Sequence, residues 1–428
     1  MEFRFHETQR LAMPINTQAA PPTSSDEGRP NLTSSSRRLL KFVLLLLFCI
    51  ESVFWAAFLL SSLRNRADFR QLYVAGYMAR SGHRHQLYDL ELQHSLQNSL
   101  ISPEANVLPF IRPSYSALLF APLSFLSYKV AYFFWLVTNL VLLATSFRLL
   151  SPGRWEGKEV WPAAAFLLFV PIQIALMQGQ DSILLLMLFS WAFMLLRRKS
   201  EFAAGMISAL GLFKFQLILP IVLLFALKRR GNYVAGFTLI AAILGCVSVW
   251  LVGFDQTRLY VQQLRSIGLQ SASPNSLSSA ASWTSMATLK GLMFGLGGSH
   301  ISGQAIQVSS ILLSAGLILA VALAIPKAAP SAELLTVSVV LGVLAGAYVF
   351  AHDLSILLLP LMLALCSSSW TSDSRRVGYA ATAVFTAMLL EFYSPRRFYL
   401  VSLFVILFLW TVVQSMRKRR PLTTESVQ

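Results

Sequence analysis

Uninterrupted apolar stretches recur along this chain from residue 39 onward, and short basic clusters separate them. No other feature limits the fold so strongly. Lipid offers backbone groups no partners, so segments of this kind are stable in a bilayer only as helices or closed barrels. Runs of this length and continuity fit helices, each needing about 20 apolar residues to span. Hydrophobic residues make up 55% of the 428 and charged residues 13%, against about 25% charged in a soluble domain. The expected fold is therefore all-α, a polytopic integral membrane helical bundle.

The formal net charge of +16 comes from 35 basic and 19 acidic residues. The bases sit in clusters such as Arg197–Arg198–Lys199 and Lys228–Arg229–Arg230. Clusters between apolar runs mark cytoplasmic loops, and no nucleic-acid partner is expected. Cys49, Cys246 and Cys366 all fall inside apolar runs and suit neither a disulfide framework nor a metal site.

Residues 1–36 are polar and rich in Pro, Ser, Thr and Asn, and are expected to form a disordered cytoplasmic tail. Residues 39–63 are too long for the apolar stretch of a signal peptide and read as a retained first span. Working from Arg417–Arg420, which mark a cytoplasmic C-terminal tail (417–428), the membrane domain covers 37–416. Spans are expected at 398–415, 377–391, 353–367, 333–350, 305–325, 232–252, 181–196, 161–177 and 128–148. The interval 201–227 joins two basic clusters and is too short for two crossings. It reads as a hairpin of helices 202–213 and 215–227 with Lys214 near the tip. Residues 113–126 are expected to be re-entrant or interfacial. About eleven membrane helices result, with outer loops at 64–112 and 254–304 and a helix near 284–298.

This threading gathers an unusual polar set at the outer face. Asp68, Arg70, His83, Arg84, His85 and Asp89 lie in the first loop. Arg112 precedes Pro113, and Gln178, Gln180 and Asp181 form a tight turn. Asn275 lies in the long loop, His352 and Asp353 in the last, and Lys214 approaches from below. Simpler roles exist for several of them. Asp68 with Gln71 three residues on has the spacing of a capping box. Phe69, Tyr73 and Tyr77 form a stripe suited to lying on a membrane surface, and Gly82 is a natural helix stop. Asp89, Asp181 and the His352–Asp353 pair stand where helix caps are expected, and His83-Arg84-His85 reads as solvated charge. Lys214, in an apolar hairpin, is costly unless paired or hydrated. Glu51, inside the first span, has no evident cationic partner.

The order of these features resembles glycosyltransferase family 87, integral-membrane mannosyltransferases of the GT-C superfamily, over about residues 40–415. The resemblance rests on "DFRQLYVAGYMARSGHRHQLYD", "FIRPSYSALLFAPLSFLS", "MQGQDSILLLMLFSWAFMLLRR", "AAGMISALGLFKFQLILPIVLLFALKRR", "SPNSLSS" and "AHDLSILLLPLMLAL", in that order. This chain has Arg112-Pro113-Ser114 where the family usually has two prolines, Lys214-Phe215 for Lys-Pro, and Asp181 where Asn is frequent. The resemblance implies a GT-C-type bundle. It also implies inverting transfer of a hexose, typically mannose, from a polyprenyl-phosphate carrier at the outer face of a bacterial cytoplasmic membrane. The family's first-loop aspartate matches Asp68, the expected general base.

That chemistry needs a carboxylate to take the acceptor proton and fixed cations for the departing lipid phosphate. Lys214, Arg112 and His352 are the expected phosphate contacts. Gln180, Asp181, Asp353, Tyr73 and Asn275 are the expected substrate-binding or supporting residues. No Asp-x-Asp carboxylate cluster is present, so no metal is expected. No cofactor is expected either, beyond the lipid-linked sugar itself. The expected partners are membrane lipids, the lipid-linked sugar donor and a glycolipid or glycan acceptor. A transporter or flippase of lipid-linked substrates, and a lipid-carrier glycan ligase or polymerase, are the competing classes. Neither an internal repeat nor an arginine-rich late loop supports them.

Overall fold

The computed structural model describes residues 67–104, 107–150, 168–269, 285–297, 300–366, 374–392 and 395–418. The expected N-terminal tail, the first span with Cys49 and Glu51, and Asn275 lie outside these residues. Among the described residues every regular element is a helix. Five helical runs are long and apolar enough to cross a membrane by length and composition: 128–150, 201–227, 231–265, 303–324 and 397–418. Four shorter apolar helices, at 182–197, 331–345, 351–365 and 376–390, accompany them. These are the elements of a membrane-embedded helical protein. Its flanks expose large apolar side chains, among them Phe133, Val141, Trp250, Ile311, Leu312 and Trp410. Cys246, in the same apolar surface as Leu239 and Ile243, is exposed rather than buried.

Three elements open the described chain. Helices α1 (Phe69–Arg80) and α2 (Leu90–Leu100) are followed by α3 (Tyr128–Leu150). α1 stops at Gly82, whose φ of 87° only glycine adopts at little cost. Asp89 caps α2, accepting from the backbone N–H groups of Glu91 and Leu92. The stretch expected as one helix at 113–126 is instead three short turns, at 114–116, 117–120 and 123–125. Pro113 and Pro122 supply no N–H, and each stands at the N-cap of a short turn. The Phe69–Tyr73–Tyr77 stripe does not lie on a surface. Phe69 and Tyr73 are buried, and Phe69 packs against Phe120, Tyr128, Tyr132 and Trp135.

The centre of the bundle is α5 (Ser182–Arg197), preceded by α4 (Val170–Met177). It packs on α3, on α6 (Glu201–Ala209) and on the 3₁₀ turn at 351–357. After α6 a 3₁₀ segment, 210–214, leads into α7 (Phe215–Leu227). Although 201–227 is long enough for one crossing, it is not one rod. A straight run would separate its ends by roughly 40 Å, yet Arg230 reaches Glu201 at 3.7 Å. Phe225 also stacks on Tyr233 at 3.8 Å. The chain turns back at Lys214, whose φ of −120° and ψ of 57° leave the helical region. Each leg rises roughly 20 Å, short of a hydrocarbon core about 30 Å thick. The expected hairpin, with its lysine at the tip, is the observed one.

Helix α8 (Gly231–Leu269) packs against α6 and breaks at Gly253, at φ 84° and ψ 171°. The kink falls one residue after the expected span end at 252, but residues 254–269 continue as helix instead of beginning a loop, and the apolar run of membrane-crossing length extends to 265. The first-loop segment is docked on this break. His85 Nδ1 lies 3.1 Å from the Val252 carbonyl, and Gln256 and Gln263 hold the backbone of Tyr88 at 3.1 and 2.8 Å. The remaining helices are α9 (Leu289–Gly297), α10 (Gly303–Ala324), α11 (Ser331–Ala345), α12 (Leu358–Cys366), α13 (Ser374–Phe392) and α14 (Val401–Lys418). The expected spans at 333–350 and 353–367 differ locally: α11 stops at Ala345, and the 3₁₀ turn at 351–357 precedes α12.

Candidate functional site

Five pieces of chain meet at the N-terminal end of α5: the start of α1, the segment carrying Arg112, the α4–α5 turn, the tip of the hairpin and the 3₁₀ turn at 351–357. The turn is the keystone. Gly179 has a φ of 60°, and a Cβ there would lie 2.8 Å from Phe69 Cβ and 3.0 Å from the Tyr132 ring. Tyr132 Oη donates to the Met177 carbonyl at 2.7 Å, and Trp135 Nε1 to that of Gly179 at 2.9 Å. The Phe69 amide donates to the Gln178 carbonyl at 3.0 Å. These bonds fix Asp68, one residue earlier, beside Gln180.

The Asp68 side chain makes no cap bond, and its backbone is helical at φ −61° and ψ −15°. The capping-box expectation therefore fails. Its carboxylate instead accepts from Gln180 Nε2 at 2.8 Å. Gln180 Oε1 in turn accepts from Arg112 at 3.1 Å. Asp181 is no cap either: it pairs with Arg112, and its other oxygen lies 3.2 Å from Lys214 Nζ. Asp353 does hold its own turn, accepting from the Phe350 amide at 3.1 Å. Its second oxygen pairs with Lys214 and accepts from Ser182 Oγ at 3.1 Å. His352 lies between Gln178 Oε1, 2.9 Å from Nδ1, and Asp353, 3.4 Å from Nε2.

Seven of the nine expected site residues thus form one connected network: Asp68, Gln180, Arg112, Asp181, Lys214, Asp353 and His352. Tyr73 stands apart. Its hydroxyl donates to the Leu126 carbonyl at 2.8 Å, and its ring packs on Phe69 and Tyr128. Asn275 is outside the described residues. Arg70, another first-loop charge, braces the loop by donating to the Ser102 hydroxyl and carbonyl, both at 2.9 Å.

Burial divides the network. Gln180, Asp181, Ser182, Lys214, His352 and Asp353 are all buried, whereas Asp68 and Arg112 are partly open. Lys214 Nζ donates to Asp353 and, at 2.9 Å, to Ser182 Oγ, and it forms an ion pair with Asp181 at 3.2 Å that lies outside hydrogen-bonding geometry. Among the described residues no cation pairs with Asp68. Ser182, fully buried between Lys214 and Asp353, was missed at the sequence level, where it reads only as the first residue of an apolar helix. Also among the described residues, no three His, Cys, Asp or Glu side chains are grouped to hold a metal ion.

The network lies at the opposite end of α5 from Arg197. That 16-residue helix sets about 24 Å between the site and the basic clusters, which flank both ends of the hairpin.

No curated protein matches the sequence, and no solved structure matches it. The sequence profile of glycosyltransferase family 87 matches residues 110–349. That stretch contains Arg112, Gln180, Asp181 and Lys214, and folding adds Asp68, His352 and Asp353 from outside it. With more than half of its length matched, the chain belongs to glycosyltransferase family 87.

Proposed function

We propose that this glycosyltransferase moves a hexose, mannose in the first instance, from a polyprenyl-phosphate carrier to a hydroxyl of a glycolipid or glycan. The fold in this reading is of GT-C type. Asp68 takes the acceptor proton, the acceptor oxygen bonds to the anomeric carbon from the face opposite the leaving group, and the electron pair of the breaking bond leaves on the lipid phosphate. The anomeric configuration inverts.

The observation that carries this reading is the difference between Asp68 and the other carboxylates. Asp181 and Asp353 are buried and paired with cations, whereas Asp68 is partly exposed and, among the described residues, its carboxylate is held by a single amide bond. A general base must keep a lone pair free for the incoming proton, and Asp68 does. Among the described residues, two cations, Arg112 and Lys214, face three carboxylates. When Asp68 is protonated the excess negative charge disappears in the same step in which charge grows on the phosphate. Arg112, partly open and with five N–H donors, is the cation placed to meet that phosphate. Lys214 and His352 act here by holding Asp181, Asp353 and Gln178 in position.

Basic clusters mark the cytoplasmic side, and the site lies at the other end of α5, so the reaction is assigned to the outer face of the cell membrane. Both termini are assigned to the cytoplasm. The test is to give the purified chain polyprenyl-phosphate mannose or glucose with a panel of glycolipid acceptors and to follow release of lipid phosphate. Acceptor-dependent release is expected. Movement of the lipid across sealed vesicles without release would make the protein a transporter instead. Activity is also expected to persist in EDTA, because Asp181 and Asp353 are already neutralised by side-chain cations. Loss in EDTA with recovery on adding Mg²⁺ or Mn²⁺ would require a metal-bound donor.

A further inference from the structure

Gln180 is 2% exposed, yet its two ends meet the two partly open members of the network. Its Nε2 donates to Asp68 Oδ2 at 2.8 Å, and its Oε1 accepts from Arg112 Nη2 at 3.1 Å. An ionised carboxylate only accepts and a guanidinium only donates. The amide therefore has one workable orientation, because a flip would set oxygen against oxygen and N–H against N–H.

The backbone that carries this amide is fixed as well. Gly179 is the left-handed residue that ends α4, and the Gly179 and Gln180 amides donate to the Leu176 and Ala175 carbonyls at 3.1 and 2.9 Å. These bonds form a Schellman motif with Gln180 as the residue after its glycine. Arg112 is seated by two consecutive side chains, on Gln180 through Nη2 and on Asp181 through Nη1. One amide and its two hydrogen bonds thus keep Asp68 Oδ2 and Arg112 Nη2 no more than about 8 Å apart. Among the described residues, Asp68 Oδ1 makes no hydrogen bond.

We infer that Gln180 is a positioning residue for the transfer. By holding Oδ2 it aims Oδ1 at the acceptor hydroxyl, and by holding Arg112 it keeps the phosphate contact at a set distance from the base. This rests on the glycosyltransferase reading and adds to it the side chain that links proton removal to phosphate departure. Reacting atoms must lie about 3 Å apart and aligned, so a base and a phosphate contact that drift independently lose rate. The link also survives the reaction. When Oδ1 takes the proton, Oδ2 becomes the carbonyl oxygen of a carboxylic acid and still accepts from Nε2. Gln180 itself neither gains nor loses a proton.

Among the described residues, the charged and titratable groups facing Asp68 from other elements are Arg112 and Asp181 beyond the amide, His352 from the 3₁₀ turn and Tyr128 from α3. Gln180→Glu alters none of them and nearly keeps the side-chain shape, but it replaces the donated N–H by a carboxylate oxygen. Like charges at one site disfavour ionisation, and the base works only when ionised. In full-length chain in lipid nanodiscs, with polyprenyl-phosphate mannose and a glycolipid acceptor, the acidic limb of the kcat/KM profile should move to higher pH by about one unit or more. Activity on that limb then falls roughly tenfold and returns at alkaline pH. Gln180→Leu removes both bonds and adds no charge. Its kcat should fall roughly 10- to 100-fold, while the donor KM changes much less because Arg112 keeps Asp181.

An acidic limb that stays in place in Gln180→Glu would overturn the inference, as would wild-type kcat in Gln180→Leu. So would a Gln180→Leu loss accounted for by unfolded protein, which would make the glutamine merely structural. Infrared titration without substrate gives a readout independent of transfer. It follows the carboxyl band that disappears when Asp68→Asn is added to each background, and that band should titrate at higher pH in Gln180→Glu. An unshifted band would overturn the inference. A shifted band in a chain that transfers no sugar would sink the proposed reaction and leave the link from Asp68 through Gln180 to Arg112 standing.

Discussion

Asp68→Asn is expected to lower transfer by about 10²- to 10⁴-fold, the contribution general-base help makes, while leaving a folded protein of near-normal stability. The substitution keeps the size and planarity of the side chain. Gln180 Nε2 still finds an oxygen to donate to, so the 2.8 Å contact survives. Among the described residues no ion pair is lost, because Arg112 and Lys214 are engaged with Asp181 and Asp353. No helix cap is lost either, because Asp68 makes none. What disappears is the basic oxygen that takes the acceptor proton. Binding of the donor should change little, so the loss should fall on kcat. Near-wild-type turnover in Asp68→Asn would remove the base assignment, and a large drop in thermal midpoint would show that the carboxylate holds the turn together.

Much of the scaffold around this residue was legible in the sequence. Two basic clusters bracketing 201–227 implied a segment that starts and ends on one side, and Lys214 marked where it turns. Gly82 and Asp89 sat at helix boundaries for reasons that reach no further than four residues, and those expectations hold. The polar punctuation also named most of the network. Its wiring was another matter. Lys214 pairs with Asp353 139 residues away, and Asp68 with Gln180 112 residues away, and local spacing carries no trace of either. For the same reason Asp68 and Asp181 read as caps: a carboxylate at a helix start has a local use that only tertiary geometry cancels. The Phe69–Tyr73–Tyr77 stripe has one periodicity whether it faces lipid or an aromatic core. Residues 254–269 read as loop because their hydropathy falls, yet they are helical.

Lys214→Met should be the most damaging single change to the fold of the site. The lysine is 3% exposed, and its partners Asp353 and Asp181 are 2% and 1% exposed. Methionine fills a similar volume without the charge, so cavity formation is minor. Asp353 is left with a hydroxyl and a backbone amide as its donors, and Asp181 keeps only Arg112. Breaking a buried pair by removing one partner costs about 3–5 kcal/mol, because the remaining charge stays desolvated. A clear drop in thermal midpoint and in folded yield from membranes is the expected result. Adding Asp353→Asn should restore much of it, since the double variant leaves Asp181 matched to Arg112 and no orphaned charge. A Lys214→Met protein as stable as wild type but unable to bind polyprenyl phosphate would reverse the assignment, giving the ammonium to the donor. A destabilised single variant rescued by the second change would instead establish that the lysine works by holding two carboxylates. The phosphate would then be left to Arg112, the cation of the network with an open face.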